Sequence, residues 1–143
     1  MRVVLDTNVL IRAHGRRQTF ARHLLMRLLE RSDTLVLSNE IVVEVTRVLR
    51  YPKFQNLYGL AESDLFEYSQ FLQSISLIVI LDSQYSAPMR DANDLAVLQT
   101  ADRGEADVLC TNDSDFYDPT VRSFCGARGI DVCDEVSLLA RLI

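Results

Sequence analysis

The sequence predicts an α/β protein, a three-layer α/β/α sandwich with a central parallel sheet, formed by residues 1–143 as one domain. Three observations predict it. Short β-rich apolar runs alternate with helical patterns along the chain. The runs are nearly continuously apolar, as expected of strands buried on both faces of a parallel sheet. The chain of 143 residues is 48% hydrophobic with five Gly and three Pro, enough apolar material for a full core and too few breakers for a loop-rich protein.

The elements follow in order. Residues 2–5 (RVVL) read as the first strand, ended by Asp6-Thr7-Asn8. Residues 18–31 carry an Arg/Leu helical pattern, and 34–37 (TLVL) form the second strand. Over 39–50, Ile41, Val42, Val45, Val48 and Leu49 fall on one arc at the helical period. Lys53 lies in a Pro-containing connection, followed by a helix over 62–74 with Leu65, Phe66, Tyr68, Phe71 and Leu72. Residues 76–81 (SLIVIL) read as the third strand, and 92–103 as a helix with Leu95, Val97, Leu98 and Ala101 on its packed face. Strands at 107–111 (DVLCT) and 130–133 (IDVC), with helices at 119–127 and 134–142, complete the pattern.

Composition narrows the function. No stretch approaches the roughly 18 uninterrupted apolar residues of a membrane span. The first apolar run is broken at Asp6 and has no cleavage-site pattern, so no signal peptide is expected. Cys110, Cys125 and Cys133 are odd in number and form no CxxC pair, which favours free thiols in a cytoplasmic protein. The net charge of −5 argues against a protein that simply coats nucleic acid, yet leaves room for an acidic metal site. Arg12, Arg16, Arg17, Arg22, Arg27 and Arg31 crowd the first quarter, equally readable as solvated helix faces or a phosphate-binding patch.

Acids recur where strands end and helices begin. Asp6 closes the first strand, and it could equally be the N-cap of a short following helix. Glu44 lies at the rim of the apolar arc of 39–50, where pairing with Arg47 is the plainer reading. In RDANDLAVLQTAD, Asp91 suits an N-cap and Asp94 the third helical residue, a capping-box-like arrangement. Capping explains why an acid is tolerated at Asp94 but not why it falls within the packed arc, where an unpaired charge is expensive. In VLCTNDSDF, Thr111 ends a strand and Asp113 and Asp115 follow, repeating the grammar of the opening. In open α/β sheets ligands sit at the carboxyl ends of strands near a switch in strand order, so the four places suggest one acidic pocket.

Carboxylates crowded together raise one another's pKa unless a cation sits between them. Hard oxygen donors suit Mg²⁺ or Mn²⁺, and no Cys/His cluster offers zinc spacing. Such ions activate water and bridge a scissile phosphate, so phosphodiester hydrolysis is the reaction this pocket fits best.

DTNVLI at residues 6–11 resembles the N-terminal signature of PIN-domain proteins. LSNEIVVEVTRVL, DANDLAVLQTA and ADVLCTNDSDF are similar to the later PIN segments in order and spacing. The chain as a whole resembles the VapC-like subgroup, toxin components of toxin–antitoxin pairs. It departs at Asp91-Ala92-Asn93-Asp94, where related sequences often carry a DPDD-like run; Asn93 brings a carbonyl but no charge. The resemblance implies Mg²⁺- or Mn²⁺-dependent cleavage of RNA, with Asp6, Glu44, Asp94 and Asp113 as metal ligands. It implies that Asn8, Thr111, Asp115 and Asp91 steady ligands or waters. Arg12, Arg16 and Arg17 would hold the RNA backbone, with an antitoxin protein and a second copy of the chain as partners. The helix over 62–74 could supply a dimer face, although core packing explains the same residues.

Two other classes compete. A phospho-aspartyl phosphatase or receiver-like domain also places an Asp after the first strand. The phosphatase wants a second acid where this chain has Asn8, the receiver wants paired acids there, and both want a lysine better placed than Lys53. A PIN-like module that binds RNA or protein without cleaving is the second. Nucleotide-cofactor enzymes are disfavoured by the lack of GxGxxG and GxxxxGK[ST] motifs.

Overall fold

A computed structural model describes all 143 residues. Five strands form one fully parallel sheet: β1 (Arg2–Leu5), β2 (Thr34–Leu37), β3 (Ser76–Ile78), β4 (Val108–Cys110) and β5 (Asp131–Cys133). Their order is β3-β2-β1-β4-β5, so the chain builds outward from β1 to one edge and then crosses to the other side of it. The switch in order therefore lies between β1 and β4, whose ends carry Asp6 and Thr111. Register continues to the last residues, with Asp6 N–H donating to Cys110 O (2.9 Å) and Thr111 N–H to Cys133 O (2.9 Å).

Eight helices flank the sheet. These are α1 (Thr7–Arg12), α2 (Phe20–Glu30), α3 (Asn39–Leu49), α4 (Pro52–Tyr58), α5 (Glu62–Ser74), α6 (Ala92–Arg103), α7 (Pro119–Gly126) and α8 (Glu135–Arg141). None is long and apolar enough to cross a membrane. The three central strands carry the core through Val3, Val4, Leu5, Leu35, Val36, Leu37, Val108, Leu109 and Cys110, all buried. All three cysteines are buried free thiols.

Three expectations change. The third strand stops at Ile78 rather than 81: Val79 N–H still reaches Leu37 O, but Ile80 is 72% exposed, so this run leaves the sheet at an edge. Burial on both faces accordingly fails for β3, where Leu77 is exposed. The connection holding Lys53 is itself the helix α4, with Pro52 in its first turn, where a missing N–H is harmless, and left-handed Gly59 at its end. On α5 core packing is the reading the structure supports, since Leu65, Tyr68 and Leu72 are core residues and Phe66 stands well exposed. Tyr68 OH is fixed there by donating to Leu10 O (2.6 Å).

The C-terminal end of α6 approaches β2 so closely that only glycine fits. A Cβ on Gly104 would overlap Val36 Cγ1 and stand 2.8 Å from Thr100 O. Gly104→Ala is expected to cost about 1–3 kcal/mol by overpacking. Urea titration checks this as a lower midpoint with an unchanged slope.

Candidate metal centre

The sequence builds the site by ending strands and starting helices at one end of the sheet. Asp6 leaves β1 in extended conformation as the N-cap of α1. Its carboxylate is held from two sides: Oδ1 accepts from Thr7 N–H (2.7 Å) and Oδ2 from the Thr111 hydroxyl (2.7 Å). The same hydroxyl accepts from Asp113 N–H (3.0 Å). One buried threonine at the end of β4 thus ties the acid of β1 to the acid after β4. Cap and pocket wall are the same residue, so the two readings of Asp6 were never exclusive.

Asp91 is the N-cap of α6, its Oδ1 accepting from Asn93 N–H (2.9 Å) and Asp94 N–H (3.0 Å). The reciprocal half of a capping box is absent. The Asp94 carboxylate accepts no hydrogen bond from any protein group and is left facing the pocket. Asp113 caps the 3₁₀ turn Ser114–Tyr117 by accepting from Asp115 N–H (3.0 Å), which brings Asp115 beside it. Asp94, Asp113 and Asp115 each offer a carboxylate oxygen within 4.8 Å of the others.

The pocket has a volume of about 330 Å³ and includes Asp6, Glu44, Asp91, Asp94, Asp113 and Asp115. All four expected ligands thus reach one cavity, and Asn8 lines it too. The tight trio nevertheless includes Asp115 in place of Asp6 and Glu44. Glu44 sits on α3 in an ion pair with Arg47, the plainer reading of its position. Thr7 and Asn93, absent from the expected site, also line the cavity.

Electrostatics show the strain of gathering these acids. Burial, followed by the charges of Asp113, Asp91, Asp6 and Asp115, pushes the Asp94 carboxyl up to about 7. Its place in the first turn of α6 favours the anion by only a fraction of this effect. Burial also raises Asp6, against the hydrogen bonds from Thr111 and Thr7 that favour its ionised form, while Asp113 adds to the rise. An all-oxygen, multiply anionic donor set with an unbonded carboxylate is what a hard divalent cation fits. The tri-acidic cluster is therefore able to coordinate a divalent metal ion.

Residues 2–115 match the family described as PIN domain. The chain belongs to the PIN-domain family. Its structure is similar to that of VapBC2 from Rickettsia felis bound to a DNA fragment from their promoter, with 15% sequence identity and a TM-score of 0.59. That likeness covers 94% of this chain and 98% of the other, and it bears on the fold. No match was found among curated proteins. The acids of this PIN domain lie within the matched region up to its last residue, Asp115.

The basic residues expected to meet RNA lie outside the pocket of this PIN domain. Arg12 makes a two-pronged pair with Glu135, which is buried at the start of α8. Arg16 pairs with Asp64 (2.8 Å), and Arg17 donates to Leu57 O (2.8 Å). Lys53 lies on α4 over the Phe54 ring and does not line the pocket that holds Asp6. His14 lines a separate cavity with Arg16 and Arg22.

Proposed function

We propose that this PIN-domain protein is a Mg²⁺- or Mn²⁺-dependent endoribonuclease, the cytoplasmic toxin of a toxin–antitoxin pair, formed by residues 1–143 as one domain. The observation that carries the reading is the convergence of Asp94, Asp113 and Asp115 beside Asp6 at the switch between β1 and β4. Asp6, Glu44, Asp94 and Asp113 serve as ligands, and Asp115 joins them on the strength of its position. When bound, the cation activates water and stabilises charge on the scissile phosphate and the leaving oxygen.

The chain's own residues prepare that chemistry. Thr111 holds the Asp6 carboxylate in one orientation, and its hydroxyl couples that orientation to Asp113. Asp91 spends an oxygen on the N-terminus of α6 and so sets the direction of Asp94. Asn8 and Asn93 offer uncharged polar groups at the rim, suited to water or a phosphate oxygen. Arg16 and Arg17, at the surface, remain candidates for the RNA backbone; Arg12 is the weakest of the three because Glu135 already holds it. RNA as substrate and a cognate antitoxin as partner rest on the VapC-like resemblance; the similarity to VapBC2 supports the fold that this reading requires. A homodimer rests on the resemblance alone.

The test is cleavage of single-stranded and structured RNA with Mg²⁺, Mn²⁺ or EDTA. Metal-dependent cleavage is expected, lost with EDTA. Asp6→Asn is expected to lower it by at least about a hundredfold, the upper range for loss of an outer ligand-orienting group. Cleavage that survives Asp6→Asn would sink the site assignment.

A further inference from the structure

Beside the acidic pocket lies a larger cleft of about 820 Å³, walled by residues 87–91 on one side and 114–121 on the other. It shares Asp91 and Asp115 with the pocket, so the two cavities adjoin. Its polar wall carries Arg90. Of the fifteen Lys and Arg side chains in the chain, Arg90 and Arg103 alone make no hydrogen bond, ion pair or ring contact, and only Arg90 stands beside the acids. Net charge cannot explain an uncommitted cation there, because Asp91 and Asp118 border the same cleft and neither pairs with it.

The opposite wall carries Tyr117, the cleft's one aromatic ring. Its hydroxyl donates to Thr111 O (2.7 Å), anchoring the ring to the same strand end that holds Asp6. The Arg122 guanidinium, outside the cleft lining, lies 5.7 Å over one face of that ring and helps to hold it in place. Bases of single-stranded RNA are recognised by stacking on aromatic rings and guanidinium planes, and bases in a duplex are already stacked and withheld. The volume suits a small-molecule-sized occupant such as one nucleotide.

We propose that this cleft is the subsite for the nucleotide next to the scissile phosphate of a single-stranded RNA. Arg90 holds its phosphate and Tyr117 stacks on its base, so the cleft selects unpaired RNA and contributes to sequence preference. The inference rests on the nuclease reading for its orientation, because the scissile phosphate is taken to lie on the acids.

Binding in EDTA tests it without any cleavage. The probe is a fluorescein-labelled single-stranded RNA oligonucleotide carrying 5-iodouridine, titrated against the full chain at several salt concentrations. Arg90→Ala is expected to weaken binding and to reduce the salt slope by about 0.7, the value for one phosphate contact on a single strand. Tyr117→Leu is expected to weaken it about fivefold or more, and Tyr117→Phe, which keeps the ring, to bind nearly as wild type. Photocrosslinks are expected at Tyr117. An unaltered melting temperature in Arg90→Ala establishes that folding is not the cause. RNA bound in this way by a protein that cleaves nothing upholds the subsite and overturns only the nuclease reading. Unchanged affinity and salt slope in Arg90→Ala and Tyr117→Leu, or crosslinks confined to a protein face outside residues 87–91 and 114–121, overturns the subsite, whether or not RNA is cleaved. An oligopeptide that binds the cleft while RNA does not also overturns it.

Discussion

Asp94→Asn is expected to raise the melting temperature of the metal-free protein at pH 8 and to remove most of the stabilisation that Mg²⁺ gives the wild type. The reason lies in where the proton sits. Asp94 titrates near 7 in the folded protein and near the ordinary 3.8 when unfolded. Between those values the folded state keeps a proton that the unfolded chain has released. Stability therefore falls as pH rises from about 4 to 7 and stays at its lower value above. The raised carboxyl of Asp6 contributes with the same sign. Asparagine keeps the shape of Asp94 without its charge, so the variant loses much of this decline.

A bound cation reverses the balance by favouring the ionised carboxylate. Mg²⁺ binding should tighten as pH rises through about 7, where Asp94 gives up its proton. Magnesium at a hundred times its dissociation constant stabilises by about 2.7 kcal/mol. Melting curves at pH 5.5 and pH 8, with Mg²⁺ or with EDTA, read both effects. A wild type whose metal-free stability does not fall between those pH values would refute the crowding of charge at Asp94.

Arg12→Ala is expected to destabilise the protein by about 3 kcal/mol, the lower edge of the range for breaking a buried ion pair. The loss falls mainly on Glu135. Its side chain is only 6% exposed, against 33% for Arg12, so removing the arginine strands a buried carboxylate. Asn112 keeps one hydrogen bond to it (3.2 Å), which is too little to replace a two-pronged guanidinium. The pair joins α1 to α8, elements 123 residues apart, and so closes the two ends of the chain onto each other. Combining Arg12→Met with Glu135→Leu should restore most of the loss, since an apolar pair leaves nothing unpaired. Urea midpoints of the single and double variants form the cycle that measures the coupling. RNA affinity falling with no loss of stability in Arg12→Ala would instead make Arg12 a backbone contact.

Local chemistry made much of this protein legible without coordinates. Continuous apolar runs announced β1, β2 and β4 because strands buried on both faces have no polar side to show. Asp91 was readable as a cap because an N-cap and the residues it serves are neighbours in the chain. The same locality made β3 misleading. SLIVIL has the composition of a buried strand, but its partner lies on one side only, and the run leaves the sheet at Val79. The helix α4 is hidden in the sequence because its Pro reads as a breaker, although the first turn of a helix has no use for the missing N–H.

The acids divide in the same way. Linear pattern places Asp6, Asp94, Asp113 and Asp115 after strand ends or at helix starts, and an α/β sheet brings such positions to one end. Which of them touch is set by packing in three dimensions. Asp94, Asp113 and Asp115 form the tight trio, while Asp6 and Glu44 line the same cavity outside it, bonded to Thr111 and Arg47. Arg12 sits beside DTNVLI, while its partner Glu135 lies 123 residues away in sequence. Strand and cap signals act over a few residues and survive in a linear reading. Distances between side chains depend on crossovers and packing that no local pattern encodes.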